Sequence, residues 1–310
     1  MVKATPFTPK PALDKLPLAA RKDISDNFEA NVEDFRARIK ALLGTDFTFN
    51  INAEEVWAYA EEGQTSAGTC FAGYVEGFIS ALEYFINKYH EAGKTYFNAA
   101  VSQSALTLTV NPLGEKGKTI SSDVKDGVYR ILFRPGELGY NQTQQYDNIL
   151  PAIESAPRDG FSLSAKHSID TDYEGEIDAV QQAISELCGT QFALDPNFEE
   201  NYRVLAGAKE TAKNDKDWEL RVGSVSLKYF KGLEFQLERQ GFRDDDMIHE
   251  GLQEVVKSKT FKIRVVPETS TKRSSETVVD REQGVVYLQC TPKKWGLNPM
   301  DMGEDFLRLL

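Results

Sequence analysis

Residues 74–77 read Tyr-Val-Glu-Gly, and residues 229–232, which lie 155 positions later, read Tyr-Phe-Lys-Gly. Residues 44–47, Gly-Thr-Asp-Phe, return in the same way as residues 189–192, Gly-Thr-Gln-Phe, at a spacing of 145. Further matches follow in the same order at a spacing of 157, namely Pro135 with Pro292, Gly139 with Gly296 and Asn141 with Asn298. Because a fixed order of matches is the signature of a repeat, the sequence predicts an internal duplication.

The spacing between matches changes only where insertions fall, and surface loops tolerate insertions. These matches divide the chain into five predicted segments. They are an N-terminal arm, 1–23; repeat copy one, 24–141; a linker, 142–168; repeat copy two, 169–298; and a C-terminal tail, 299–310.

Hydrophobic periodicity predicts the elements of each copy. Apolar residues at helical spacing precede Gly44 and Gly189, which stand where a helix C-cap belongs. A short alternating strand, two further helices and two more strands follow, whereas the hydrophilic stretches 113–126 and 268–283 are predicted to be loops. The fold class is therefore α+β, with two tandem homologous α-β-α-α-β-β domains. We expect each to have a small antiparallel sheet, and the two domains to be related by a pseudo-twofold axis.

Composition excludes several classes of partner. The chain has 36 Lys and Arg against 48 Asp and Glu, a net charge of -12, which argues against nucleic-acid binding. Its apolar runs are shorter than the roughly 20 residues that span a bilayer, and its first residues do not resemble a signal peptide. The sequence therefore predicts a soluble, cytoplasmic protein that does not bind membranes.

Motifs for catalysis and metal binding are not apparent. Cys70, Cys188 and Cys290 are too scattered for a disulfide framework or a zinc site, and they fall at positions predicted to face a core. The three histidines lack partners at metal-ligand spacing, and Gly-rich phosphate loops and nucleophile elbows are also absent from the sequence. We therefore assign no catalytic residue and no metal ligand, and the sequence does not identify a cofactor.

Copy one carries aromatic residues where copy two does not, and this difference is the most informative one between the copies. Aligned positions of copy two hold mainly polar residues, and several of the aromatics recur at helical spacing. The aromatics specific to copy one are Phe71, Tyr84, Phe85, Tyr89 and Tyr96. Together with Tyr74 and Phe78 they form a stripe. Such a stripe is more often core packing, but ligand pockets are also lined by aromatics.

Two arginines are also specific to copy one. Arg130 and Arg134 are predicted on the non-core face of one strand, where copy two has Tyr287 and Thr291. Two guanidinium groups at this spacing could bind a carboxylate, a phenolate or a phosphate, although ordinary salt bridging on an acidic protein is the commoner explanation for such arginines. The stripe and the arginines together are the candidate ligand-binding residues.

The sequence therefore favours a non-enzymatic binding protein. It would hold an aromatic or conjugated small molecule, for example a pigment in a chromoprotein, within copy one or in the cleft between the copies. One alternative is an enzyme of an unfamiliar type that gathers acid-base groups such as His167, Glu83 and Tyr74. Another is a structural or partner-interaction protein in which the stripe forms an interface, for instance in a homodimer.

Overall fold

The computed structural model describes residues 7–156 and 160–310. The chain divides into two compact units, Met1–Asp159 and Gly160–Leu310. Residues 1–6 of the predicted arm and residues 157–159 of the predicted linker lie outside the described residues. The described chain is mixed α and β, with a four-stranded sheet in each unit.

In the order of the chain, the long helix of the first unit follows the first strand of the sheet and precedes the second. Its helices are α1 (Leu18–Asp23), α2 (Val32–Leu43), α3 (Ala53–Trp57), α4 (Ala67–Ala100) and α5 (Ile149–Glu154), with a π-helical turn at Ile24–Phe28 and 3-10 turns at Glu29–Asn31 and Gly114–Lys116. Its strands are β1 (Thr48–Phe49), β2 (Ala105–Val110), β3 (Ile120–Lys125) and β4 (Val128–Phe133).

The second unit follows a similar order with more breaks. Its helices are α6 (Leu163–Ser168), α7 (Ile177–Leu187), α8 (Phe198–Gly207), α9 (Lys209–Asn214), α10 (Val222–Arg239) and α11 (Asp246–Val255), with a π-helical turn at Ile169–Tyr173 and 3-10 turns at Glu219–Arg221, Pro292–Lys294, Pro299–Asp301 and Phe306–Leu309. Its strands are β5 (Ala193–Asp195), β6 (Thr260–Val265), β7 (Glu276–Asp280) and β8 (Val285–Cys290).

The predicted antiparallel sheet is wrong, because both sheets are mixed. The first sheet runs β1-β2-β4-β3, with β1, β2 and β4 parallel and only β3 antiparallel. The second sheet runs β5-β6-β8-β7 with the same strand directions. The helices between the first two strands of each sheet provide the long crossover that a parallel pair requires.

The predicted order α-β-α-α-β-β also omits one strand from each unit. Strand β3 lies inside the predicted loop 113–126, and β7 lies inside the predicted loop 268–283. Both are edge strands whose residues are mostly half-buried, so their sequences do not alternate clearly between apolar and polar residues. Hydrophobic periodicity, which identifies the central strands, therefore does not identify the edge strands β3 and β7.

Helix ends agree with the sequence in most places. Gly44 ends α2 at φ 75°, Asn52 accepts a hydrogen bond from the backbone of Glu55, and Asp245 caps α11 through the backbone of Ile248. In the second unit the long helical stretch is interrupted: α10 ends at Arg239, Gly241 has φ +80°, and α11 begins at Asp246. In the first unit α4 continues, but with a kink at His90, where φ is 50°.

The long helix of the first unit makes a very close backbone contact with the chain that follows the sheet. A Cβ atom added at Gly77 would lie 2.0 Å from the carbonyl oxygen of Gln142. The Tyr74 hydroxyl, fully buried on the same helix, accepts a hydrogen bond of 2.9 Å from the Gly139 amide. Only a glycine at position 77 permits this approach.

The second unit makes a corresponding contact. A Cβ atom at Gly232 on α10 would lie 2.0 Å from the Pro299 carbonyl oxygen. The Gly296 amide donates a hydrogen bond of 2.7 Å to the Tyr229 hydroxyl. In both units the chain beyond the last strand therefore docks on the long helix.

Among residues 7–156 and 160–310, no helix combines the length and the apolar character needed to cross a membrane.

Alanine substitution at either close contact is expected to destabilise the protein. Gly77→Ala and Gly232→Ala each force a methyl group against a backbone carbonyl that cannot move freely, at a cost of roughly 1 to 3 kcal/mol in the free energy of unfolding. Gly207→Ala is the matched control, because no atom lies within 4 Å of its added Cβ. Urea denaturation measures all three, and equal stability of the three variants would contradict the contact.

Candidate functional site

Most of the aromatic stripe lies in the core of the first unit. Phe71, Tyr74 and Phe78 are at most 1% exposed, and Phe85 and Tyr89 are also buried. Their rings are covered by other rings: Phe78 lies 4.9 Å from Tyr129 between centroids, and Phe71 contacts Phe28 and Trp57 edge-on. Burial raises the pKa of the Tyr74 hydroxyl above its ordinary value. These five residues are therefore core residues, and Phe78 packs the long helix against Tyr129 of the sheet.

The other two aromatics of the stripe lie nearer the surface. Tyr84, on the outer side of α4, is 56% exposed, and Tyr96 is half-buried. The Tyr84 ring stands edge-on to the ring of Tyr146, with centroids 5.7 Å apart, and Tyr146 is itself 48% exposed. Tyr84 is therefore the most exposed residue of the stripe, and Tyr146, which does not belong to the stripe, stands beside it.

The two candidate arginines line different pockets. Arg130, on β4, forms a bidentate pair with Asp123 of β3, at 2.7 Å and 2.5 Å, and lines a cavity beside Lys10 and Tyr59. Arg134 follows β4 and lines a groove that also includes Tyr146. The structure therefore does not bring both guanidinium groups to one pocket, because the chain turns away after the strand ends.

The groove beside Arg134 brings a candidate arginine close to the exposed tyrosine pair. We name it the tyrosine–arginine groove; its volume is about 830 Å³, and residues 118–120, 134, 141, 143, 144 and 146–148 line it. It lies where β3 begins, β4 ends and the chain runs toward α5. Its volume is in the range of small-molecule sites, and its polar lining combines the cations Lys118 and Arg134 with the carboxylate of Asp147 and with Asn, Thr and Gln side chains.

Glutamine side chains fix the wall of this groove. The Gln142 side-chain amide donates to the carbonyl oxygen of Cys70 at 2.7 Å, and the Gln145 amide donates to the Tyr74 carbonyl at 2.9 Å. Gln145 also donates to the Gln142 carbonyl at 2.7 Å. These glutamines, which lie in the predicted linker, thus anchor residues 141–148 to α4. That anchoring holds Tyr146 against Tyr84.

Arg134 already has one acidic partner. Its guanidinium pairs with the carboxylate of Glu137, one turn further along the chain, and both side chains remain partly exposed. The hydrogen bond from Arg134, helped by one from Thr119, lowers the pKa of Glu137, and the same bond raises the pKa of Arg134. A charged pair of this kind, open to water, is weak enough for another acid to replace Glu137.

The second unit has a smaller groove where β7 begins. Its volume is about 230 Å³. The Arg273 side chain lies against it and pairs with Glu304 at 3.0 Å and Asp305 at 2.5 Å, so charges of the protein itself neutralise the cation. After β8 the second unit has Thr291 where the first has Arg134 after β4. The larger groove, with its exposed tyrosines, therefore belongs to the first unit.

The acid-base residues of the alternative enzyme hypothesis do not meet in the first unit. Tyr74 is fully buried, whereas Glu83 is exposed and lies nine residues further along α4, a rise of about 13.5 Å. His167 belongs to α6 of the second unit. These three residues therefore do not form one acid-base site within the first unit.

Sequence reasoning missed Lys118, Tyr146 and Asn148, because they stand in stretches predicted to be loop or linker. The run 140–146, Tyr-Asn-Gln-Thr-Gln-Gln-Tyr, has two tyrosines among amide side chains, which is unusual for a linker, and this signal could have identified Tyr146.

No known protein family matches this chain, and neither the curated proteins nor the solved structures include one with significant similarity.

The Arg134–Glu137 pair predicts a titration that can be measured. Because the pKa of Glu137 is lowered in the folded protein, the stability from this pair is present above the unfolded pKa and is lost as the pH falls through the folded value. In Arg134→Gln the pKa of Glu137 should rise toward its ordinary value. Carboxyl-carbon NMR titration of both proteins measures this, and an unchanged pKa would show that the pair does not form in solution.

Proposed function

We propose that this protein binds a small aromatic acid in the tyrosine–arginine groove of its first unit, and that the two units arose by duplication of one α+β unit. The observation that carries the binding proposal is that Arg134 and Tyr146 line one groove of about 830 Å³ and that the Tyr146 ring contacts the exposed ring of Tyr84. A pigment or another conjugated acid fits this description. The function is binding, without a chemical step.

The duplication is supported by strand register. Leu106 of β2 stands opposite Tyr129 of β4, and Phe261 of β6 stands opposite Val286 of β8. Leu106 and Phe261 are 155 residues apart, and Tyr129 and Val286 are 157 residues apart. These are the same spacings that relate the sequence matches in other segments of the two copies. An experimental structure in which residues 24–141 fail to superpose on residues 169–298, or superpose without a twofold relation, would contradict the duplication or its pseudo-twofold form.

The chemistry of the groove favours an aromatic acid over a neutral ligand. Lys118 and Arg134 supply two cations against the one carboxylate of the lining, Asp147, and a planar guanidinium binds a carboxylate with two parallel hydrogen bonds. The faces and edges of Tyr84 and Tyr146 offer ring contacts worth about 0.5 to 1.5 kcal/mol beyond their buried area. A ligand that uses both features needs an acidic group next to a flat ring.

Binding of 2-naphthoate tests this proposal, with its neutral amide, naphthalene-2-carboxamide, as the chemical control. Isothermal titration should show saturable binding of the acid and weaker binding of the amide. Tyr84→Ala and Arg134→Gln should each weaken binding of the acid about 10-fold, the equivalent of about 1.4 kcal/mol. Phe235→Ala, which removes an exposed aromatic from α10 of the second unit, should change nothing.

Glu137→Gln is the variant with the opposite sign. Removing the carboxylate that competes for Arg134 should strengthen binding of 2-naphthoate, whereas a merely structural role of the pair would weaken it. Equal losses in Tyr84→Ala and Phe235→Ala would show non-specific adsorption and contradict the proposal.

Protein from its natural source provides an independent test. A bound conjugated ligand would add mass in native mass spectrometry and absorbance beyond that of Trp and Tyr. A doubled mass that Tyr84→Ala abolishes, with no added absorbance, would instead favour the interface function of the exposed tyrosines.

A further inference from the structure

A second cavity of the first unit lies under the N-terminal chain, apart from the tyrosine–arginine groove. Its volume is about 390 Å³, the space of about a dozen water molecules at roughly 30 Å³ each. Its floor is the sheet face that carries Thr109 and Arg130, and its apolar wall is Val56 and Tyr59. Residues 9–12 line it from the other side, and we call residues 7–13 the strap.

The strap is held in place by specific contacts. The Lys10 amide donates a hydrogen bond of 2.6 Å to the Tyr59 hydroxyl, and the Leu13 amide donates one of 3.2 Å to the Glu54 carbonyl. The ring of Phe7 lies against Gly114. These contacts keep the Lys10 ammonium beside the cavity, 5.2 Å from the centroid of the Tyr59 ring.

Charges of both signs line this cavity. Lys10 and Arg130 are cationic, and Glu55 provides a carboxylate. Asp123 accepts hydrogen bonds from Nε and Nη2 of Arg130, which leaves the Nη1 edge of the guanidinium outside that pair. A ligand with a carboxylate for Arg130 and Lys10, an ammonium for Glu55 and an apolar group for Val56 and Tyr59 would satisfy each of these features.

The second unit fills the corresponding space with its own side chains. In register, Thr109 corresponds to Arg264 and Arg130 to Tyr287. The Arg264 guanidinium lies 3.8 Å from the centroid of the Tyr287 ring and donates to the Gln289 side chain. The smaller Thr109 leaves this space open in the first unit.

We propose that the cavity under the strap binds a free α-amino acid with an apolar side chain. Arg130 and Lys10 hold its carboxylate, Glu55 holds its ammonium group, and its side chain packs on Val56 and Tyr59. The size of the cavity limits the ligand to about a dozen heavy atoms, which suits leucine or phenylalanine and excludes longer peptides.

Isothermal titration of the full chain with L-leucine and L-phenylalanine tests this site. At least one should bind saturably, and its N-acetyl derivative and its amide should each bind at least 10-fold more weakly, because each lacks one charge. Absence of saturable binding by both amino acids overturns the proposal. So does equal affinity for the N-acetyl derivative, because that result describes a simple anion site.

Two variants locate the binding. Glu55→Gln should weaken binding of the amino acid about 10-fold, whereas Glu54→Gln, the neighbouring change outside the cavity lining, should leave it unchanged. The double variant Thr109→Arg with Arg130→Tyr copies the second unit and should abolish binding while the circular dichroism spectrum is kept. Full binding in a folded double variant overturns the assignment.

This site and the tyrosine–arginine groove can be distinguished. Tyr84→Ala should leave amino-acid binding intact, and Glu55→Gln should leave 2-naphthoate binding intact. Failure of one proposal therefore does not decide the other.

Discussion

The close contact between the long helix of each unit and the chain beyond its last strand is the constraint on which much else depends. In the first unit, Gly77 lets the Gln142 carbonyl approach the helix, and the Tyr74 hydroxyl accepts the Gly139 amide nearby. The side-chain NH2 groups of Gln142 and Gln145 then donate to backbone carbonyls of α4, and this gives the buried amide donor of Gln145 the partner that it needs. This network places the segment 141–148, and with it one wall of the tyrosine–arginine groove.

A shared framework also explains why the sites differ between the units. The close glycine contact and the tyrosine hydroxyl bond occur in both, so residues there are constrained by packing. Side chains on the sheet faces and beyond the strand ends are less constrained. On the sheet face of the second unit, Arg264 packs on Tyr287, whereas Thr109 and Arg130 at the corresponding positions of the first unit line a cavity. The first unit has open space beside Arg130 and beside Arg134, and this difference between the units is what suggests ligands.

The sequence predicted those features whose residues are set by packing. Gly44 marked a helix end correctly, and the central strands were found because buried apolar residues recur along them. Strand β3 was missed, because an edge strand half-exposed on both sides has no hydrophobic period. Strand direction was also missed, since parallel pairing depends on the crossover of α4 and not on any local pattern.

Candidate site residues were predicted less well, and the reason is also physical. Aromatic residues at helical spacing include both core and surface positions, and composition alone cannot separate the buried Phe78 from the exposed Tyr84. Arg130 and Arg134 have the spacing of one strand face, but β4 ends at Phe133 and the chain then turns. Periodicity holds only within an element, so a residue one position beyond its end can face another pocket.

An acidic protein can still bind an acid if its cations are local. Screening by salt limits the distance over which exposed charges interact to about 8 Å at physiological ionic strength. The electrostatic potential in the groove is therefore set mainly by Lys118, Arg134 and their neighbours. The number of carboxylates on each arginine then matters more than the net charge of -12. Arg273 is held by Glu304 and Asp305 together, whereas Arg134 pairs with Glu137 alone, and both of these side chains are partly exposed. Under the proposed function, a ligand carboxylate would replace one ion pair of low net energy, and the ring contacts with the tyrosines would then decide the affinity.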